Sequence, residues 1–296
     1  MRAGRLSLCF AVLAAVGLLA ACAPSHADRI VVGSKNFTES FLLGEIIAQQ
    51  IETHTHLKVE RRFYLAGTYI CQQAILAGRI DVYPEYTGTA VTAILKQNAS
   101  GAKGDVYQQV KSAYERRFGL TVGPAFGFND TFAMEIRGED ARRLNIATLS
   151  QASAFTPKWR AGFGYEFMER SDGYPGLSRA YGLKFAAAPS IMDLGLLYRA
   201  LKEHQVDVVA GSATDGLIIA LGMVILEDDR HFFPPYQAVT ILRGGALRDH
   251  PELRGALDVL GGKISDDEMR QMNYAVDAQQ RDPAAVAREF RGRKNL

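Results

Sequence analysis

The chain has 296 residues, 48% of them hydrophobic and 22% charged, with 34 basic side chains against 32 acidic ones. That composition is long enough and apolar enough for two α/β lobes, and it excludes a disordered or collagen-like chain. The near balance of charge leaves no electrostatic footprint for nucleic acid or an anionic membrane surface.

At the N-terminus, Arg2 and Arg5 precede an apolar run from Leu6 to Ala21 that is too short and wrongly flanked for a lasting membrane span, so it reads as a secretion signal. Two cleavage chemistries fit its end. Leu19-Ala20-Ala21-Cys22 matches a bacterial lipoprotein box, with residues 1–21 lost and Cys22 acylated, while Ser25-His26-Ala27 fits ordinary cleavage after residue 27. Either route exports the protein to the periplasm or the outer face of the cell membrane, with a lipid anchor on Cys22 as the only membrane contact. Either route also removes two basic residues and no acid, leaving 32 of each sign. Cys9 leaves with the signal and Cys22 is lipidated or removed, so no disulfide framework remains; Cys71, inside a predicted helix, is expected to be a buried structural thiol.

Short β-rich runs then alternate with helical patterns, the signature of a parallel α/β sheet. Arg29 to Gly33 reads as a strand and Thr38 to Glu52 as a helix with Leu43, Ile47 and Ile51 on one face. Val59 to Tyr64 is the next strand, Thr68 to Ala77 a helix closed by Gly78, Ile80 to Tyr83 a strand and Thr87 to Lys96 a helix. A second unit of the same kind has strands at Thr131 to Ile136, Arg160 to Gly164, Lys184 to Ala187, Val206 to Ala210 and Met223 to Leu226. The stretch Ala74 to Val82 parallels Ala200 to Val208, each leading to a Thr-bearing turn; the same pattern arises in any two βα units. Ala238 to Leu242 is a last strand before three helices, two of them marked by the Ser265/Glu268 capping box and by Asp282-Pro283.

A lone strand followed by helices makes no third sheet, so Ala238 belongs with the first. The chain is therefore expected to cross between lobes twice, near Phe128 to Asp130 and Phe233 to Tyr236, giving lobe 1 at 28–129 plus 236–296 and lobe 2 at 130–235. Two crossings make a hinge and a cleft suited to a small ligand. Lys35, Tyr86, Thr87, Thr89, Asp130, Phe132, Arg170 and Tyr236 fall where this arrangement faces the cleft. A betaine needs π faces around a quaternary ammonium that has no N–H to donate, and charge-assisted donors for its carboxylate. Tyr86, Phe132 and Tyr236 supply the first; Lys35, Arg170 and Thr89 the second.

The segments Val32 to Glu39, Gly78 to Thr89, Thr214-Asp215-Gly216, and Leu226 to Asp229 before Phe233-Pro234-Pro235-Tyr236 closely resemble the glycine betaine, choline and carnitine-binding proteins of ABC importers, and the resemblance runs from about residue 29 to about 290. It implies the type II periplasmic-binding-protein fold, a small betaine-type ligand, and as partner an ABC permease with a cytoplasmic ATPase. By resemblance, Lys35, Thr89 and Arg170 match carboxylate-binding positions, and Tyr86 and Tyr236 match two walls of an aromatic cage that Asp130 and Phe132 help to close. One wall departs: the family's Tyr falls at about Ser212. At roughly 0.5–2 kcal/mol per cation–π contact, that loss weakens quaternary-ammonium binding by about one order of magnitude, and a larger or less cationic ligand such as a histidine-derived betaine (ergothioneine among them) becomes an alternative.

No Gly-x-Ser-x-Gly elbow, His-Glu-x-x-His or phosphate-binding Gly-rich loop is present, so neither an enzyme nor a cofactor or metal site is expected. His54-Thr55-His56 reads as surface and Asp228-Asp229 as a solvated turn. A sensor that uses the same fold without feeding a transporter is the rival reading.

Overall fold

The computed structural model describes residues 29–97 and 103–296. The secretion signal, both cleavage sites and Cys22 lie outside the described residues.

Among the described residues, ten strands form two five-stranded sheets. The first is ordered β2 (Lys58–Arg62), β1 (Arg29–Gly33), β3 (Val82–Tyr86), β10 (Gln237–Arg243), β4 (Leu120–Asn129); the second β7 (Ser190–Ile191), β6 (Ala161–Phe163), β8 (Val208–Ser212), β5 (Phe132–Arg137), β9 (Met223–Leu226). In each sheet three parallel strands are followed by one antiparallel strand, β10 or β5, that has just arrived from the other sheet. The crossings run side by side, with Asp130 N–H donating to Tyr236 O at 3.0 Å and Tyr236 N–H to Asn129 Oδ1 at 2.8 Å.

Alternation along the strands gives the first sheet two apolar faces. Ile30, Val32, Ala238 and Leu242 join one core, under helix α1 (Thr38–His54) and the C-terminal helices; Val31, Val239 and Ile241 join the other, under α2 (Thr68–Leu76) and α4 (Lys103–Phe118). Leu42, Leu43, Ile46, Ile47 and Ile51 of α1 are fully buried, each worth roughly 1.5–3 kcal/mol over exposure. Cys71 is buried in the second core, and burial pushes its thiol up to about 12, which leaves no nucleophile at neutral pH.

The parallel between Ala74–Val82 and Ala200–Val208 has a structural basis. Asp81 accepts the Val31 N–H at 2.9 Å and the Arg243 guanidinium, while Asp207 accepts the Arg160 N–H at 2.9 Å and the Arg137 guanidinium at 3.0 Å. Arg243 and Arg137 each end the strand that follows a crossing. Asp81 and Asp207 are thus equivalent fasteners between the parallel strands and the incoming one.

Several expected elements shift. The third strand runs to Tyr86, because β10 pairs with it from Val82 to Tyr86, whereas β1 touches it only at Val82. Pro84 therefore sits in a strand without removing a needed ladder bond. The expected helix Thr87 to Lys96 is one α-turn, α3 (Thr87–Thr89), followed by a wider π-type turn, Ala90–Ile94. No strand forms at Lys184 to Ala187, an Ala-rich run ahead of Pro189; the edge strand is β7. Pro251 divides the first expected C-terminal helix into α11 (Gly244–Asp249) and α12 (Glu252–Asp258), ahead of α13 (Asp266–Asp277) and α14 (Pro283–Lys294). Asp228 is an anchor rather than a solvated residue: it accepts the Tyr181 hydroxyl and the N–H groups of Phe232 (3.0 Å) and Phe233 (2.8 Å), which fixes the approach to the second crossing.

Candidate functional site: the seam between the lobes

The lobes are closed on one another, and polar residues near the hinge meet in two groups. The first is centred on Arg170, which follows the short helix α7 (Tyr165–Glu169). Its Nε and Nη2 donate to the two oxygens of Asp172 at 2.9 and 2.5 Å, in the forked geometry that guanidinium and carboxylate share. From the opposite lobe Thr89 accepts from Nη1 at 3.3 Å and Thr92 from Nη2 at 3.2 Å. Asp172 also accepts the hydroxyls of Thr92 (2.7 Å) and Tyr236 (2.5 Å). The guanidinium carbon lies 4.9 Å from the Phe132 ring centre and 5.9 Å from that of Tyr236, each within cation–π range. Burial works against both charges, but the pair outweighs it: Arg170 is held above and Asp172 below the usual range.

The second group surrounds Glu39, in the first turn of α1. Glu39 Oε1 accepts the Tyr86 hydroxyl at 2.7 Å, and Oε2 accepts Asn273 Nδ2 from α13 at 3.0 Å and the Thr214 hydroxyl from the other lobe at 2.5 Å. Asp130 Oδ1 accepts the same Thr214 hydroxyl at 2.7 Å and that of Ser212. Burial raises Glu39 well above the ordinary carboxylate range, aided by repulsion from Asp130 and opposed by its hydroxyl and amide donors; burial raises Asp130 in the same way. Beside them Lys35 pairs with Glu85 and stands 4.9 Å from the Tyr86 ring centre. The groups join at Gly88, where a Cβ would lie 2.7 Å from the Tyr236 ring and 2.8 Å from the Pro235 carbonyl, so only glycine lets the second crossing pass.

The structure brings Lys35, Tyr86, Thr89, Asp130, Phe132, Arg170, Ser212 and Tyr236 to this seam. It turns Thr87 elsewhere: its hydroxyl donates to Pro235 O at 3.1 Å and accepts from Gln237 N–H at 3.0 Å, which fastens the crossing. Lys35 and Arg170 do not stand as free cations, since each has a buried carboxylate partner. Sequence reasoning missed Glu39, Thr92, Asp172, Thr214 and Asn273. Glu39 has a sufficient local explanation as an acid in a helix first turn, but Asn273, polar on the apolar face shared by Met269 and Met272, carried a readable signal.

A cavity of about 260 Å³ lies behind the hinge, lined in part by Asn129, Ile225, Asp228, His231 and Pro234, and shares only Phe132 with these groups. No Lys or Arg lines it, whereas the seam sets Lys35 and Arg170 against the rings of Tyr86, Phe132 and Tyr236, so the seam is the candidate site. Among the described residues no cluster of three or more metal-ligating side chains occurs.

Asp215, next to Thr214, is raised by burial to about 6 although it accepts the Leu217 N–H at 2.8 Å. A carboxyl raised in the folded state binds its proton more tightly there than in the unfolded chain, so its contribution is full below about pH 4 and is lost as pH rises through 6. Asp215→Asn is expected to raise the melting temperature by a few degrees at pH 7.5, about 1–2 kcal/mol, and hardly at all at pH 4. Thermal unfolding across that range checks it; an equal shift at both pH values would contradict it.

Residues 28–293 match the family described as the substrate binding domain of ABC-type glycine betaine transport systems. The chain is 36% identical over 273 residues to the carnitine transport binding protein OpuCC of Listeria monocytogenes serotype 1/2a, covering 92% of this chain and 88% of that one. It is 34% identical over 268 residues to the ergothioneine transport permease/ergothioneine binding protein EgtU of Helicobacter pylori, covering 90% of this chain and 48% of that longer one. A crystal structure of a glycine betaine/carnitine/choline ABC transporter superposes with a TM-score of 0.75 at 30% identity, over 90% of this chain and 98% of that one. The two-sheet topology with antiparallel exchanged strands is the type II periplasmic-binding-protein arrangement, and the chain belongs to the substrate-binding-domain family of ABC-type glycine betaine transporters.

Proposed function

We propose that this chain, exported from the cytoplasm, captures a betaine-type solute (glycine betaine, choline, carnitine or a related quaternary ammonium compound) between its lobes and delivers it to the permease of an ABC importer driven by a cytoplasmic ATPase. The observation that carries the reading is the seam itself: aromatic faces of Tyr86, Phe132 and Tyr236 stand beside donors from both lobes, Lys35 and Thr89 on one and Arg170 on the other. A ligand bridging such groups favours the closed form, which is how binding becomes a signal the permease can read. No described helix is long and apolar enough to cross a membrane.

Calorimetry and thermal shift with glycine betaine, choline, carnitine, proline betaine and ergothioneine test the proposal. At least one is expected to bind with micromolar or tighter affinity and to raise the melting temperature. Neither heat nor shift with any of them would sink the betaine assignment and leave the fold untouched.

A further inference from the structure

Large apolar side chains left in solvent gather along one edge of the seam. Among the described residues, six of the ten are found there: Tyr64, Tyr69 and Ile70 on lobe 1, and Tyr165, Ile191 and Leu194 on lobe 2. Singly scattered apolar residues are ordinary, whereas a shared patch marks an interaction surface. The lobes meet in its middle, where Glu166 Oε1 accepts the Thr68 N–H at 3.1 Å. Thr68 opens α2, with Tyr69 and Ile70 in its first turn. On the other side Tyr165 precedes Glu166, Phe163 pairs with Ile191, and a Cβ on Gly164 would lie 2.8 Å from the Leu194 side chain. Opening the cleft breaks the Glu166 contact and parts the two halves. The patch is therefore whole only in the closed form.

Tyr64 is held outward against backbone preference. Its φ is 60° and that of Ala66 is 88°, both in the region that favours glycine. Ser34 fixes the loop: its Oγ accepts the Tyr64 N–H at 3.2 Å and its carbonyl the Leu65 N–H at 3.0 Å, while Ala66 O accepts the Asn36 N–H at 3.1 Å. The Tyr64 ring leans on Phe41, centres 5.6 Å apart, yet stays 60% exposed, and Tyr165 stays 62% exposed. One preset tyrosine on each lobe suits a protein interface, because tyrosine offers a large contact area with few rotors to freeze.

The charges on the patch select the partner. Glu169, one turn after Tyr165, and Asp193, beside Leu194, bond no other described side chain; Asp193 stands at a helix N-cap without capping it. Lobe 1 adds Lys96, which is taken up by the Tyr69 hydroxyl at 3.0 Å. Unpaired acids beside exposed rings repel an anionic lipid surface and disfavour a second copy of the same face. They complement an apolar segment flanked by basic side chains.

We propose that this apolar face, split between the lobes, is the surface by which the closed protein docks on the permease, against an apolar segment whose basic flank meets Glu169 and Asp193. The inference rests on the delivery role proposed above and gives the permease a means of telling closed from open, since only closure assembles both halves.

Tyr64→Ser/Tyr165→Ser and Asp193→Lys test it, in the mature protein with the importer's permease–ATPase complex in lipid nanodiscs. Both variants should keep their solute affinity, in the calorimetric betaine series, within about twofold of wild type. The protein concentration that half-maximally stimulates ATP hydrolysis should rise at least about tenfold in the double tyrosine variant. In Asp193→Lys it should rise about threefold at low salt and less at high salt, as expected of a charge at an interface rim. Stimulation by both variants at wild-type concentrations overturns the inference and leaves betaine capture standing. So does a loss of solute affinity that matches the loss of stimulation, which would make the patch part of the solute site. A wild-type dimer that the tyrosine variant splits, or weaker flotation of that variant with phosphatidylethanolamine–phosphatidylglycerol vesicles, assigns the patch to another occupant and overturns it as well. A wild type that stimulates no hydrolysis overturns delivery and docking together.

Discussion

Gly216→Ala is expected to weaken solute binding by about 100-fold while leaving the thermal unfolding of the protein without solute nearly unchanged. Gly216 lies in lobe 2, between β8 and helix α10 (Leu217–Ala220), and meets α13 from the other side of the cleft. A Cβ there would stand 2.7 Å from the Asn273 carbonyl carbon and well inside contact distance of the Tyr274 backbone nitrogen and Cα. Helix backbone cannot step aside as a side chain can, so the lobes would stop short of closure. Apparent affinity then falls in proportion to the closed fraction. Gly67→Ala is the milder comparison: its Cβ would meet the carboxylate end of the Glu166 side chain, which accepts the Thr68 N–H at 3.1 Å across the seam but can swing aside as helix backbone cannot; a loss under about tenfold is expected. Calorimetry with small-angle scattering decides the matter, and full affinity with normal closure in Gly216→Ala would refute the account.

Arg170→Ala is expected to cost about 100-fold or more in affinity for a carboxylated solute. The substitution removes the partner of buried Asp172, the donor to Thr89 and the cation over Phe132 and Tyr236 together. Breaking a buried pair by removing one member costs about 3–5 kcal/mol, and here much of that falls on the closed form, since Thr89 and Thr92 reach Arg170 across the cleft. Arg170→Lys should fall in between, because an ammonium keeps the charge and loses the fork. Asp172 is depressed by its partner, against the pull of burial, so the pair persists at neutral pH and loosens only as pH falls through the depressed value. Unchanged affinity for a carboxylated solute in Arg170→Ala would remove Arg170 from the site.

The two arginine-linked carboxylates illustrate what was readable. Asp81 and Asp207 occupy matching places in a repeat visible as text, and the structure gives them matching bonds. Glu39 and Asn273, by contrast, lie 234 residues apart and meet at 3.0 Å. Nothing local to either residue announces the other. The end of β3 differs from the expected Tyr83 for a related reason: local propensity ends the strand there, but pairing with β10, some 150 residues on, carries it to Tyr86.

By itself the sequence determined the α/β class, the alternation of strand and helix, the double crossing and most of the residues that gather at the seam, because periodicity, turn chemistry and short motifs are local properties of the chain. Only the tertiary structure decided which charges are already paired, that Thr87 fastens the crossing, and that Glu39, Asp130 and Thr214 meet in one buried hydrogen-bonded corner. Those depend on the closing of one lobe against the other, and hydrogen-bond partners chosen across a cleft leave no trace in the spacing of residues along one strand or helix.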